Sequence, residues 1–154
     1  MRKWIVFMAA AMTAMPAQAH WQFTKWHTAP AEVIAASKGT ARPGTGDASV
    51  QGDTFRKVIG GYVAGSFNFE VSYWFDASGL VRVTMSQHDD TKCRELQRDL
   101  TAKYGEPVEY EGGSVQRRMW ADKPNGNRIV LISSNLSFCE LQYAPLVSQA
   151  GAGL

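Results

Sequence analysis

Between Phe67 and Phe75 every second residue is large and apolar: Phe67, Phe69, Val71, Tyr73 and Phe75 alternate with Asn68, Glu70, Ser72 and Trp74. Strand side chains point alternately to two faces, so this period predicts a strand with one buried side. Asp76-Ala77-Ser78-Gly79 supplies turn residues, and Val81, Val83 and Met85 resume the alternation on a returning strand. Thr54 to Val63 reads as a strand before this hairpin, with Gly60-Gly61 marking a bulge or bend.

The period then lengthens. In CRELQRDLTAKYG, Cys93, Leu96, Leu100 and Tyr104 fall on one stripe at helical spacing, with Arg94, Glu95, Arg98 and Asp99 largely outside it. Asp89, Asp90 and Thr91 suit the start of this helix, and Gly105 followed by Pro107 stops it. Ser114–Ala121 and Asn127–Ser133 read as strands joined by the turn DKPNGN. A last strand over Leu136–Tyr143 puts Cys139, Leu141 and Tyr143 on one face, and a short one fits Pro107–Glu111. A smaller helix is expected from Pro30 to a stop near Gly39, while Thr40–Asp53 has no apolar period and reads as a loop. The order predicts an α+β fold: an antiparallel sheet of about six strands with two helices on one face, in the sequence αβββαβββ. A parallel nucleotide-binding fold needs crossover helices and a glycine fingerprint, and the sequence has neither.

The first nineteen residues change the picture of compartment. Arg2 and Lys3 precede the apolar run Trp4–Met15, and Ala17 and Ala19 supply the small residues of a signal-peptidase site. The run is shorter than the about 20 residues that span a bilayer, so no stable membrane insertion is expected after cleavage. Residues 1–19 are read as a secretory signal, 20–147 as one domain and 148–154 as a flexible tail. Without Arg2 and Lys3, the 16 Lys and Arg fall to 14 against 14 Asp and Glu. That balance removes the electrostatic case for nucleic acid. A pair of cysteines in an oxidising compartment, Cys93 and Cys139, predicts one disulfide. The expected location is periplasmic or secreted.

Candidate chemistry is sparse. Cleavage after Ala19 would leave His20 with a free amine, which together with its imidazole and that of His27 suits Cu(II); this is the alternative metal reading. Apart from it, no metal or cofactor is expected. In QHDD, Gln87 to Asp90, adjacent side chains at a strand end diverge, and Asp89 and Asp90 are expected to cap the following helix. Asp47 with Asp53, and Glu109 with Glu111, are carboxylate pairs without a visible partner. There is no G-x-S-x-G, H-E-x-x-H or P-loop. Trp21, Phe23 and Trp26 crowd the new amino terminus and suit an aromatic anchor. Trp74 and Trp120 are placed on strand faces opposite the apolar stripes, as candidates for a recognition surface or for packing. Asn135-Leu136-Ser137 matches a glycosylation acceptor, relevant only in a eukaryotic host.

The segment FTKWHTAPAEVIAAS, Phe23 to Ser37, resembles the F-x-x-W-G-x-S-P-x-x-V start of a group of small exported bacterial proteins without an assigned activity. LQRDLTAKYGEP, GNRIVLI and the late cysteine strand extend the resemblance over most of the chain after the signal. His27 stands where the group has glycine, and Ala29 where it has the serine that would cap the helix. The layout is distantly similar to β-lactamase-inhibitor-like and small outer-membrane-assembly modules, which act by binding proteins. Together these readings imply a periplasmic, non-enzymatic protein that binds another protein or a cell-envelope component, of inhibitor or immunity type.

Overall fold

The computed structural model describes residues 20–44, 50–134 and 138–146. The signal expected over residues 1–19, Asp47, the acceptor pattern at Asn135–Ser137 and the tail expected over residues 148–154 lie outside these residues.

The expected hairpin is present. Strands β5 (Thr54–Ala64), β6 (Phe67–Asp76) and β7 (Gly79–Gln87) form an antiparallel meander. Helix α2 (Asp90–Tyr104) follows, and then β8 (Glu109–Glu111), β9 (Val115–Asp122), β10 (Asn127–Ser134) and β11 (Phe138–Pro145). Before β5 come a two-stranded ribbon, β1 (His20–Trp21) with β2 (Thr24–Lys25), helix α1 (Pro30–Ala36), and the short strands β3 (Ala41–Pro43) and β4 (Val50–Gln51).

The main sheet is wider than the expected six strands, and its order differs. It has nine: β3-β5-β6-β7-β11-β10-β9-β8, with β4 also paired to β5. The extra strands β3 and β4 run for only three and two residues, too short to display an alternating period. They nevertheless put Ala41–Pro43 and Val50–Gln51 of the expected loop on the edge of the sheet. The bulge expected at Gly60-Gly61 lies instead between Arg56 and Val58. Gly60 serves another purpose: a Cβ there would stand 2.6 Å from the Thr40 carbonyl, so its hydrogen lets the chain leaving α1 lie against β5.

One face of the sheet carries the core. Val58, Phe69, Val71, Tyr73, Val83, Met85, Ile129, Leu131 and Leu141 are buried there with Val33 of α1 and Leu96 and Leu100 of α2. Cys93 of α2 is bonded to Cys139 of β11, with Cα atoms 5.8 Å apart, fastening the apolar stripe of the helix to the sheet. Asp89 caps α2 by accepting the Lys92 N–H at 3.0 Å, as its position predicts. Helix α1 starts with Pro30 at its first position; Ala29 supplies no side-chain cap, and the Glu32 carboxylate accepts the Ala29 N–H, the remaining half of a capping box.

The aromatic amino-terminal segment closes the rest. Trp21 packs edge-on against Tyr62 and Tyr73, with ring centroids 5.5 and 5.8 Å away. Trp26 donates its indole N–H to Asn127 Oδ1 at 3.1 Å. His27 and Thr28 are tied to the β6–β7 turn through reciprocal backbone bonds with Leu80. At that crossing Gly79 has φ +112° and its missing Cβ would collide with the His27 carbonyl, so only glycine fits.

Candidate functional site: an aromatic cleft beneath the long helix

Two helices of 7 and 15 residues cannot cover this sheet. Helix α2 is about 22 Å long and about 10 Å wide, whereas eight neighbouring strands extend over about 34 Å. The uncovered remainder is a cleft of about 630 Å³ between α2 and the tip of the β5–β6 hairpin. Leu96, Leu100 and Tyr104 form the helix wall, Ala64 to Phe67 the hairpin wall, and Tyr62, Phe69, Met85, Leu141 and Tyr143 the floor. Trp21 and Gln22 close one side, and Asp122, Asn125 and Asn127 one end. The floor rings are mutually supported: Phe67 stacks on Phe69 at 5.6 Å, and Phe69 on Tyr62 at 6.4 Å. Gln22 donates to the Tyr62 hydroxyl at 2.7 Å, which fixes the ring against the segment that covers it.

The rim is polar and its charges are held in place. Lys92 donates to Glu95 and to Ser66, each at 2.8 Å, and lies 5.4 Å over the Phe67 ring. This joins the helix to the hairpin at the cleft mouth. Hydrogen bonding from Lys92 holds the Glu95 carboxyl below its usual range. At the far end Asp122 is buried and accepts both contacts of the Asn125 amide, at 2.8 and 3.0 Å. Burial, with smaller contributions from Tyr104, Asp122 and Tyr62, raises the Tyr143 hydroxyl far above its ordinary value. A phenol so held stays protonated at neutral pH, which makes it a hydrogen-bonding group rather than a base. The arrangement suits reception of an apolar group with polar recognition around it.

The sequence-predicted residues lie mostly elsewhere. Cys93 and Cys139 form the expected disulfide. Trp74 is on the helix-free face of the sheet, half-buried, and donates to Thr84 Oγ1 at 3.1 Å. Trp120 does not lie opposite the core as expected: it is 1 % exposed on the helix-bearing face and donates its N–H to the Gly105 carbonyl at 2.8 Å. The reason is the phase of β9, where Val115, Met119 and Ala121 are the more apolar set but face away from the helices. Trp120 shares its side with Gln116 and Arg118.

His20 is in the β1–β2 ribbon, paired with Lys25. The His27 ring approaches Ser78, with Nδ1 and Oγ 2.9 Å apart. Because the Ser78 hydroxyl gives its hydrogen to Asp76 at 2.6 Å, Nδ1 of His27 is the donor and Nε2 remains outside this chain of bonds. Among the described residues no group of three or more His, Cys, Asp or Glu is arranged to hold a metal ion. Glu111 meets Arg117 at 3.8 Å on an exposed edge. His88 lies beside Phe138, with ring centroids 5.5 Å apart. The cleft has no signal of its own in the sequence, because Tyr62, Phe67, Leu100 and Tyr104 carry the same apolar pattern as core residues. Comparison with models of known protein families, with curated proteins and with solved structures gives no match.

Proposed function

We propose that the chain is an exported, non-enzymatic binding protein that receives part of a partner protein or envelope component in the cleft between α2 and the β5–β6 hairpin. The observation that carries this reading is the combination of an aromatic floor with an ordered polar rim in a cavity of about 630 Å³. Export is supported by the signal pattern in residues 1–19 and by the disulfide, a bond favoured in oxidising compartments. No helix among the described residues is long and apolar enough to cross a membrane. An inhibitor or immunity protein is one form this activity takes.

Replacing Ala64 on the hairpin wall by tryptophan fills the cleft without touching the disulfide. The immobilised parent chain should capture a discrete partner from the envelope fraction of the source cell, and the Ala64→Trp variant should lose it while keeping the parent circular dichroism spectrum. Equal capture by a folded Ala64→Trp variant would remove the cleft from the function.

A further inference from the structure

The face of the sheet turned away from both helices carries a row of arginines. Arg56 of β5 lies opposite Trp74 of β6, and Trp74 opposite Arg82 of β7. Tyr143 pairs with Val83, which sets Ala144 of β11 beside Arg82, and Ala144 pairs with Arg128 of β10. Five adjacent strands therefore present Arg, Trp, Arg, Ala, Arg in one line. No described helix packs on this line, yet Thr84 and Val130 in the adjoining row are 3 % and 1 % exposed. The Trp74 indole reaches over this row to donate to Thr84 Oγ1 at 3.1 Å.

Arg82 is held in place, yet not every donor in the row is satisfied. Arg82 lies 4.6 Å over the Trp74 ring, and its Nη2 donates to Thr54 at 3.1 Å. Its Nε, and the Nε of Arg128, are buried and have no hydrogen-bond partner among the described residues. A guanidinium pairs best with a planar oxyanion, and with Nε buried the N–H edge left for such a ligand is that of the two Nη groups. The nearby carboxylate of Glu140 favours the charge on Arg82, but the bond it accepts is from Gln142 at 2.7 Å and not from either Nε.

We propose that this row is a docking site for an extended acidic segment of a partner protein, its carboxylates separated by neutral residues. Charge complementarity selects this occupant. The row is flanked on the same face by acids: Asp76 two residues beyond Trp74, and Glu70 and Glu140 four residues from it in the other direction, both opposite Ser86. At about 3.3 Å per residue these acids leave a lane roughly 20 Å wide, enough for one peptide and repulsive to a broad polyanion. Neighbouring strands are about 4.8 Å apart, so successive arginines stand about 10 Å apart, close to the about 9 Å of one three-residue turn of polyproline II, the extended form that returns every third side chain to the same face. Trp74 and Ala144 between them face the neutral residues. The site is separate from the cleft and stands whether or not the cleft binds.

The test uses the oxidised, exported chain labelled with nitrogen-15, with the arginine Nε–H resonances as readout. The probe is the blocked heptapeptide Glu-Thr-Val-Glu-Thr-Val-Glu. The site predicts that it shifts the Arg82 and Arg128 signals, that the glutamine counterpart does not, and that Arg82→Gln or Arg128→Gln weakens binding roughly tenfold, the value of one charge-assisted contact. If Arg82→Gln does not fold, Arg128→Gln and Arg56→Gln decide by the same criterion. Absence of shifts at millimolar peptide, equal shifts with the glutamine peptide, or unchanged affinity in the folded variants would overturn the proposal. So would tighter binding of an oligodeoxythymidylate or an oligogalacturonate of equal charge, because either would assign the row to a different class of ligand.

Discussion

At the level of single residues, the left-handed backbone at His27 and Gly79 sets the junction between the amino-terminal segment and the sheet. His27 has φ +66°, a conformation that costs a side-chain-bearing residue about 1–2 kcal/mol, partly offset by its bond to Ser78. His27→Gly should therefore stay within about 1 kcal/mol of the parent in chemical denaturation. Gly79→Ala, which meets both the positive φ and the His27 carbonyl, should cost about 2 kcal/mol or more. Asp76, beside this junction, titrates below its ordinary 3.8 because the Ser78 hydroxyl and N–H donate to it. A carboxyl whose folded value is depressed contributes stability above its unfolded value and loses it as pH falls through the folded one. The stability gap between the parent and Ser78→Ala should thus be present at pH 7 and shrink in acid below pH 3.8. An NMR titration of Asp76 should move toward the ordinary value in Ser78→Ala, and an unmoved midpoint would refute the assignment.

Among the elements, α2 carries the most consequence, since it forms one wall of the cleft and is held by a bond spanning 46 residues. Replacing both Cys93 and Cys139 by serine should cost about 4 kcal/mol, measured by denaturant unfolding, on the loop-entropy estimate. Trp120→Phe keeps an aromatic ring in the core but leaves part of the indole's space empty and removes the bond to the Gly105 carbonyl at the end of the helix. It should cost about 1–2 kcal/mol. The sequence makes α2 legible because Asp89, the Cys93–Leu96–Leu100 stripe and Gly105 all agree on one helix. Strand β6 is legible for the same reason, with Phe67 to Phe75 buried at alternate positions. Strand β9 is expected at its place, but its facing is not legible, because Arg117 and Arg118 are adjacent and neither phase is cleanly apolar. Its pairing partners, rather than its own residues, determine that Trp120 faces the core. The cleft is a further step from the sequence, since it arises from the mismatch between sheet width and helix length.

For the whole molecule, burial of phenols links the fold to alkaline pH. Burial pushes the Tyr73 hydroxyl up to about 12 from 10.0, and Tyr143 is raised further still. Groups raised in the folded state contribute stability that is complete below the unfolded value and is lost as pH rises through the folded one. The molecule should therefore weaken between pH 10 and about 12, with part of its tyrosine absorbance change coinciding with unfolding. Smooth titration of all five tyrosines with the fold intact would contradict that burial. The bridge fastens α2, one wall of the cleft, to the sheet, and the proposed export would supply the oxidising compartment that favours it. Both are read by the intact mass of the chain recovered from its native compartment and alkylated without reduction. The account predicts the mass of residues 20–154 less the two hydrogens of the Cys93–Cys139 bond, with no alkyl group added. A mass that retains residues 1–19, or carries an alkyl group on each cysteine, would contradict it.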